Sequence, residues 1–286
     1  MTGARSSDGW RALRANRLAL IAGAGFAAVV LACAIGPWIA GWFGLDATAI
    51  DTKLGAAPPS ARHWLGTDTL GRDLLVRVLI GGRIALVVAF VATAVALVIG
   101  VGYGATAAYA GRWIDYAMMR GVEVLYGLPT VAFLIVVMAV LGTRSLVALF
   151  ALLGAISWLP MARIVRGQVL GLRGREFVEA ARAMGASPGR IVIRHILPNA
   201  AGPVIVYATL ALPGVMLTEA FLSYLGLGVQ APLASWGTLV TEGSSQLLVY
   251  PWMLLGPGLV MAVTVLALSF LGDGLRDAMD PQTRRR

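Results

Sequence analysis

Six long apolar runs alternate along the chain with shorter segments that hold nearly all of its charge. They cover roughly residues 18–43, 84–110, 122–141, 146–164, 200–225 and 251–271. At about 1.5 Å of rise per residue, about 20 residues cross a hydrocarbon core of about 30 Å. The pattern therefore predicts an all-α, polytopic membrane protein with about six transmembrane helices. Pro37, Pro129, Pro160, Pro203, Pro213 and Pro257 fall inside these runs. Membrane helices tolerate proline where neighbouring helices satisfy the freed backbone groups, so the expected bundle is kinked and tightly packed. The organisation reads as an N-terminal segment (1–17), a first span (18–43), an outer loop (44–83), a five-helix core (84–272) carrying a polar inner segment (175–198), and a tail (273–286).

Composition sharpens this reading. The chain is 58% hydrophobic and 13% charged, against about 25% charged in soluble domains. A net charge of +9 would suit nucleic acid if it formed a basic face on a soluble domain, but the arginines stand at the ends of apolar runs. The lone cysteine, Cys33, excludes an internal disulfide and reads as packing. Arg11, Arg14 and Arg17 precede the first run, and VLAC (30–33) loosely resembles a lipoprotein cleavage site. The apolar run continues well past Cys33, however, and further spans follow, so an uncleaved first helix is expected.

Orientation follows from the placement of basic residues near the span ends. With the N-terminus inside, most of the 23 basic residues fall on inner segments. The outer share is Lys53, Arg62, Arg72, Arg77, Arg83 and Arg144. Both termini are thus expected in the cytoplasm.

The inner segment EFVEAARAMGASPGRIVIRHILPN (176–199) lies between two apolar runs. Phe177 and Met184 fall with Ala180 and Ala181 on one helical face, and Arg175 and Glu179 have i,i+4 spacing on another. Gly185 suits a left-handed helix end, Ser187 a second N-cap, and Pro188 the first position of the next helix. Pro198 is expected to stop that helix before the fifth span. Helix, tight turn and helix are predicted on the cytoplasmic surface. The small residues Ala180, Ala181 and Gly185 would let another protein's backbone approach closely; a helix lying in the lipid interface would show the same amphipathicity.

The order Glu179-Ala180-Ala181, three residues, Gly185, then Leu197-Pro198 resembles the EAA loop of ATP-binding-cassette importer permeases, which in that family docks on the ATPase subunit. The stretches HWLGTDTLGRDLLVRVLIGGR (63–83), SWLPMARIVRGQVL (157–170), EAFLSYLGLG (219–228), SWGTL (235–239) and GDGLRDAMDP (272–281) resemble the C-type membrane subunit of the dipeptide, oligopeptide and nickel importers. The oligopeptide branch is the most similar. His195 stands where the wider family often has isoleucine, and Ser269 where relatives usually have asparagine. The resemblance implies the type I importer permease fold (MetI-like) in a bacterial inner membrane. It also implies a homologous second permease, two cytoplasmic ATPases and an external solute-binding protein as partners. Glu179, Ala180, Ala181, Met184, Gly185, Leu197 and Pro198 would couple the chain to the ATPases. ATP and magnesium would be bound by those partners and no cofactor by this chain, which has no G-x-x-x-x-G-K-[ST] loop.

Other candidates are less tied to a motif. Asp68, Arg72 and Asp73 make a charged cluster with Gly66 and Gly71 in the outer loop, readable as a contact for the solute-binding protein, a lid, or a self-paired solvated turn. Glu219 stands near the outer end of the fifth span, where an ionisable group suggests a gate or an internal pair. A structural hydrogen bond into 226–250 is the favoured reading there, with that Gly- and Ser-rich loop partly re-entrant. His63 and His195 are expected on opposite sides of the membrane, so no metal site is predicted, and no catalytic motif supports an enzyme. Asp273, Arg276, Asp277 and Asp280 follow the last span as a solvated helix end or a second ATPase contact, with Arg284 to Arg286 near anionic headgroups. A proton-coupled secondary transporter is a competing class, disfavoured because the spans are nearly charge-free. Nickel, a dipeptide or a peptide-like siderophore are alternative cargoes.

Overall fold

The computed structural model describes residues 16–142 and 145–279, save the side chains of Leu146 and Phe150. Arg5, Arg11, Arg14, Arg144, Asp280 and Arg284 to Arg286 lie outside the described residues. Among the described residues ten α-helices follow in order: α1 (Arg17–Trp42), α2 (Leu74–Tyr109), α3 (Arg112–Tyr126), α4 (Thr130–Leu141), α5 (Leu146–Leu172), α6 (Glu176–Ala183), α7 (Pro188–Ile191), α8 (Leu197–Tyr224), α9 (Trp236–Ser245) and α10 (Trp252–Met279). A π-helical turn, Val192–Ile196, joins α7 to α8.

Five stretches are long and apolar enough to cross a membrane: α1, α2, α5, α10, and α8 with the turns that lead into it. The third expected span, 122–141, is not one helix. It breaks at Gly127, Leu128 and Pro129 into α3 and α4, which meet at 82°. Pro129 has no N–H to donate, and its ring disfavours the helical conformation in the residue before it. The second span starts earlier than its apolar run, because the Asp73 carboxylate caps α2 by accepting the Val76 N–H at 2.9 Å. Pro198 does not stop the chain either. The π-turn carries α7 directly into α8, with the Leu197 N–H bonded to the Val192 carbonyl, so 188–224 runs as one bent helical stretch.

Close helix approach sets the arrangement at both ends of the bundle. At one end a Cβ on Gly274 would collide with Ala19, one on Gly202 with Met279, and one on Gly104 with the Ala162 carbonyl. This gathers the start of α1 and α8 with the ends of α2, α5 and α10. At the other end, α9 is seated on three helices at once. Gly81 and Gly82 of α2 lie under Ser235, Leu239 and Trp236, Gly237 lies on Ala220 of α8, and Gly243 lies on Met253 and Leu254 of α10. Trp236 is fully buried and donates Nε1–H to the Val78 carbonyl at 2.8 Å. Burial of a side chain this large contributes roughly 1.5–3 kcal/mol. At ten residues, α9 spans only about 15 Å, half a bilayer core, too short to cross by itself.

Candidate functional site

The α6–α7 segment is held from below by two side chains. Val178 and Ala181 are buried in a cluster with Ala105 and Ala108 of α2, Val165 and Val169 of α5, and Ile191 and Ile196. Phe177 is 40% exposed and Met184 80%, and Glu179, Ala180 and Gly185 are exposed as well. The sequence pattern had grouped Phe177 and Met184 with Ala181 on one face. Packing divides them, because one short helix on a bundle seats a narrow strip and leaves the rest outward. Among the described residues, Arg175 and Glu179 form no ion pair, and the Ser187 side chain makes no capping bond, although its backbone holds the N-cap position. The turn closes as anticipated. Gly185 is left-handed at φ +79°, its N–H bonds to the Arg182 carbonyl, and the Ala186 N–H bonds to the Ala181 carbonyl, which together make a Schellman end. Leu197 and Pro198 lie at the head of α8, beyond the π-turn. His195 sits in that turn, at the opposite end of the bundle from His63.

At that opposite end, the charged cluster of the outer loop is an internal lock. Asp68 is 1% exposed. Its carboxylate accepts from the N–H groups of Leu70 and Arg72, from Arg72 Nε at 2.6 Å and from Arg77 at 2.6 Å. Arg77, 5% exposed, also donates to both Glu242 oxygens, at 2.8 and 3.2 Å. Asp73 caps α2 and takes His63 Nδ1 at 2.8 Å. The turn is self-paired but not solvated, because α9 and Trp252 cover it; the Trp252 indole N–H donates to the Thr67 carbonyl at 3.1 Å. Gly71 holds φ +77° against the Asp51 backbone, where a Cβ would collide. The carboxylates of Asp68 and Asp73 are thus engaged within the chain. Arg77 and Glu242 were missed as partners, since 165 residues separate them; the available signal was a charge inside the first turn of an apolar helix.

Glu219 is 2% exposed and faces α9. One carboxylate oxygen accepts from Ser223 at 2.8 Å and from Ser235 at 2.6 Å, while the other lies against Gly237. It ties α8 to the N-cap of α9, the structural bond anticipated from sequence.

A cleft of about 200 Å³ opens between α4, α5 and α8, lined among others by Thr130, Leu134, Ser157, Tyr207, Gly214 and Thr218. No charged residue lines it.

Membrane-length helices, a polar helix–turn–helix at one end and a short helix seated between spans at the other make a polytopic membrane protein. The comparisons give the family. Residues 99–285 match the family described as "Binding-protein-dependent transport system inner membrane component", and residues 5–59 match "N-terminal TM domain of oligopeptide transport permease C". The chain belongs to this family of inner-membrane permeases, in its oligopeptide permease C-like branch. It is 43% identical to the Haemophilus influenzae protein "Oligopeptide transport system permease protein OppC", over 90% of this chain and 82% of that one. It is 41% identical to the Bacillus subtilis "Dipeptide transport system permease protein DppC", over 98% and 87%. The fold resembles that of an inward-facing MetNI methionine ABC transporter structure, with TM-score 0.56, 23% identity, and coverage of 71% of this chain and 97% of that one. The chain is therefore a multi-pass membrane component of a transport system.

Proposed function

We propose that this chain forms half of the membrane pathway of an ATP-driven importer of short peptides and that α6–α7 is its coupling element. One observation carries the coupling role. Phe177, Ala180 and Met184 form an exposed apolar strip, with Glu179 and Gly185 exposed beside it, on a segment whose Val178 and Ala181 are buried in the cluster shared with α2, α5 and the π-turn. Force applied to such a strip reaches the spans without first unfolding the helix. Arg112, Arg120, Arg163, Arg166, Arg173, Arg175, Arg182, Arg190 and Arg194 gather towards the same end, which under the positive-inside rule faces the cytoplasm with both termini.

On this reading the partners are a homologous permease, two ATPases that bind ATP and magnesium, and an external solute-binding protein. ATP binding can shift the inward–outward equilibrium only through different affinities for the two states. Kinship with oligopeptide and dipeptide permeases favours peptide cargo over nickel.

The test is co-purification with the ATPases encoded beside this chain. Gly185→Arg is a poor probe, since the left-handed residue is strained by any side chain. Ala180→Arg and Met184→Arg alter the exposed strip without touching the buried one. Loss of the ATPases, or ATP hydrolysis without uptake, is expected for both; retention of both ATPases and uptake would rule the strip out as the coupling contact.

A further inference from the structure

We infer that the cleft between α4, α5 and α8 is this chain's half of the peptide path and that it handles cargo through uncharged hydroxyl groups, with Tyr207 and Thr218 as its principal polar contacts. The inference rests on the permease reading above. Along α8, Tyr207, Ala211, Gly214 and Thr218 recur at helical spacing in the lining and cover about 16 Å of the helix axis. Across from them stand Ser157 and Pro160 of α5 and Thr130 at the head of α4.

Two features set this cleft apart from a lipid-filled groove. Among the described residues, nothing hydrogen-bonds the Tyr207 hydroxyl, though the residue is partly buried within a span. A phenol in that position gains most from a polar occupant, because lipid tails offer it no acceptor. Leu217, about 100° around α8 from Thr218, is exposed and purely apolar, as lipid contact requires. The volume is also informative. About 200 Å³ is below the roughly 300–1,000 Å³ of a complete small-ligand site, so the cleft is a half-site completed by a second permease.

The chemistry of the lining fixes the class of cargo. The one carboxylate of the same helix turn, Glu219, is turned away and bonded to Ser223 and Ser235. The Tyr207 hydroxyl can donate to a peptide C=O of any sequence, and the Thr218 and Ser157 hydroxyls, which donate to the Gly214 and Leu153 carbonyls, can still accept a peptide N–H, whereas a lining charge would favour particular side chains. The cleft thus suits passage of peptides of varied sequence, with selection left to a site elsewhere.

The experiment uses the assembled transporter in proteoliposomes, in a Cys33→Ala background, with Thr218→Cys, Ala211→Cys and, on the lipid side, Leu217→Cys. Peptide uptake by the background alone tests the permease reading separately; its absence would remove the foundation. Given uptake, a charged, membrane-impermeant methanethiosulfonate is expected to modify Thr218→Cys and Ala211→Cys, to abolish uptake by Ala211→Cys, and to react with both more slowly when peptide-loaded binding protein is present. Leu217→Cys is expected to stay unmodified. Modification of Leu217→Cys alone, of none of the three, or of the cleft cysteines with no protection by peptide would overturn the assignment.

Discussion

Arg83 of α2 donates Nε–H to the carbonyl of Cys33 in α1 at 2.6 Å, and that carbonyl is the one Pro37 leaves without a helical partner. An α-helix pairs the N–H of residue i with the carbonyl of i−4, so the proline at 37 frees the acceptor at 33. A second Arg83 nitrogen reaches the Ala34 carbonyl, also at 2.6 Å, and the guanidinium lies 5.8 Å from the Trp38 ring centroid. An arginine inside a span is therefore explained by a kink on the neighbouring helix.

Replacing Arg83 by leucine removes charge-assisted hydrogen bonds, worth about 1.5–3 kcal/mol in total stability. Arg83→Leu is expected to lower the thermal midpoint in detergent. The loss should shrink in a Pro37→Ala background, where the residue 37 N–H takes over the Cys33 carbonyl. Equal losses in both backgrounds would show that the bond to Cys33 carries little.

Within the outer lock, the two acidic partners of Arg77 differ in burial: the Asp68 side chain is 1% exposed and that of Glu242 44%. Breaking a buried pair by removing one partner costs about 3–5 kcal/mol, while solvent screens an exposed pair to about 0–1 kcal/mol. Asp68→Asn should therefore lower the unfolding midpoint far more than Glu242→Gln, measured on the same preparation in nanodiscs. A larger effect of Glu242→Gln would contradict the burial-based ranking.

For Glu219, shape and acceptor matter more than a pathway role. Glu219→Gln retains an oxygen for Ser223 and Ser235 and should leave peptide uptake close to wild type. Glu219→Leu removes the acceptor of both hydroxyl groups, at roughly 1–3 kcal/mol, and should make the 226–250 segment more sensitive to added protease. Abolished uptake in stably folded Glu219→Gln would point to a direct part in transport.

Two left-handed glycines offer a matched comparison. Gly44 and Gly71 have φ +71° and +77°, but only at Gly71 would a Cβ meet a neighbour, the Asp51 backbone. Gly44→Ala should cost about 1–2 kcal/mol, the left-handed penalty alone. Gly71→Ala should cost clearly more, read as the difference in thermal midpoint.

The spacing of apolar residues by itself determined the membrane class and the place of five of the six expected spans, because transfer of about 20 residues into hydrocarbon depends on composition and length. The Gly185 turn was equally legible, since a left-handed helix end depends on only a few adjacent residues. Arginine placement and the EAA pattern marked α6–α7 as the segment of interest.

Tertiary structure decided what those signals leave free. Phe177 and Val178 are neighbours in sequence, and only the cluster built by α2, α5, Ile191 and Ile196 selects Val178 for burial. The break at Pro129 and the passage through Pro198 involve the same residue type with opposite outcomes, settled by whether the backbone bends at Gly127 to Pro129 or absorbs the missing bond in a π-turn. The pairing of Arg77 with Glu242, of Arg83 with Cys33, and of Glu219 with Ser235 joins residues 165, 50 and 16 positions apart. Buried polar groups must find partners wherever the fold brings donors and acceptors together, and local sequence does not encode that meeting.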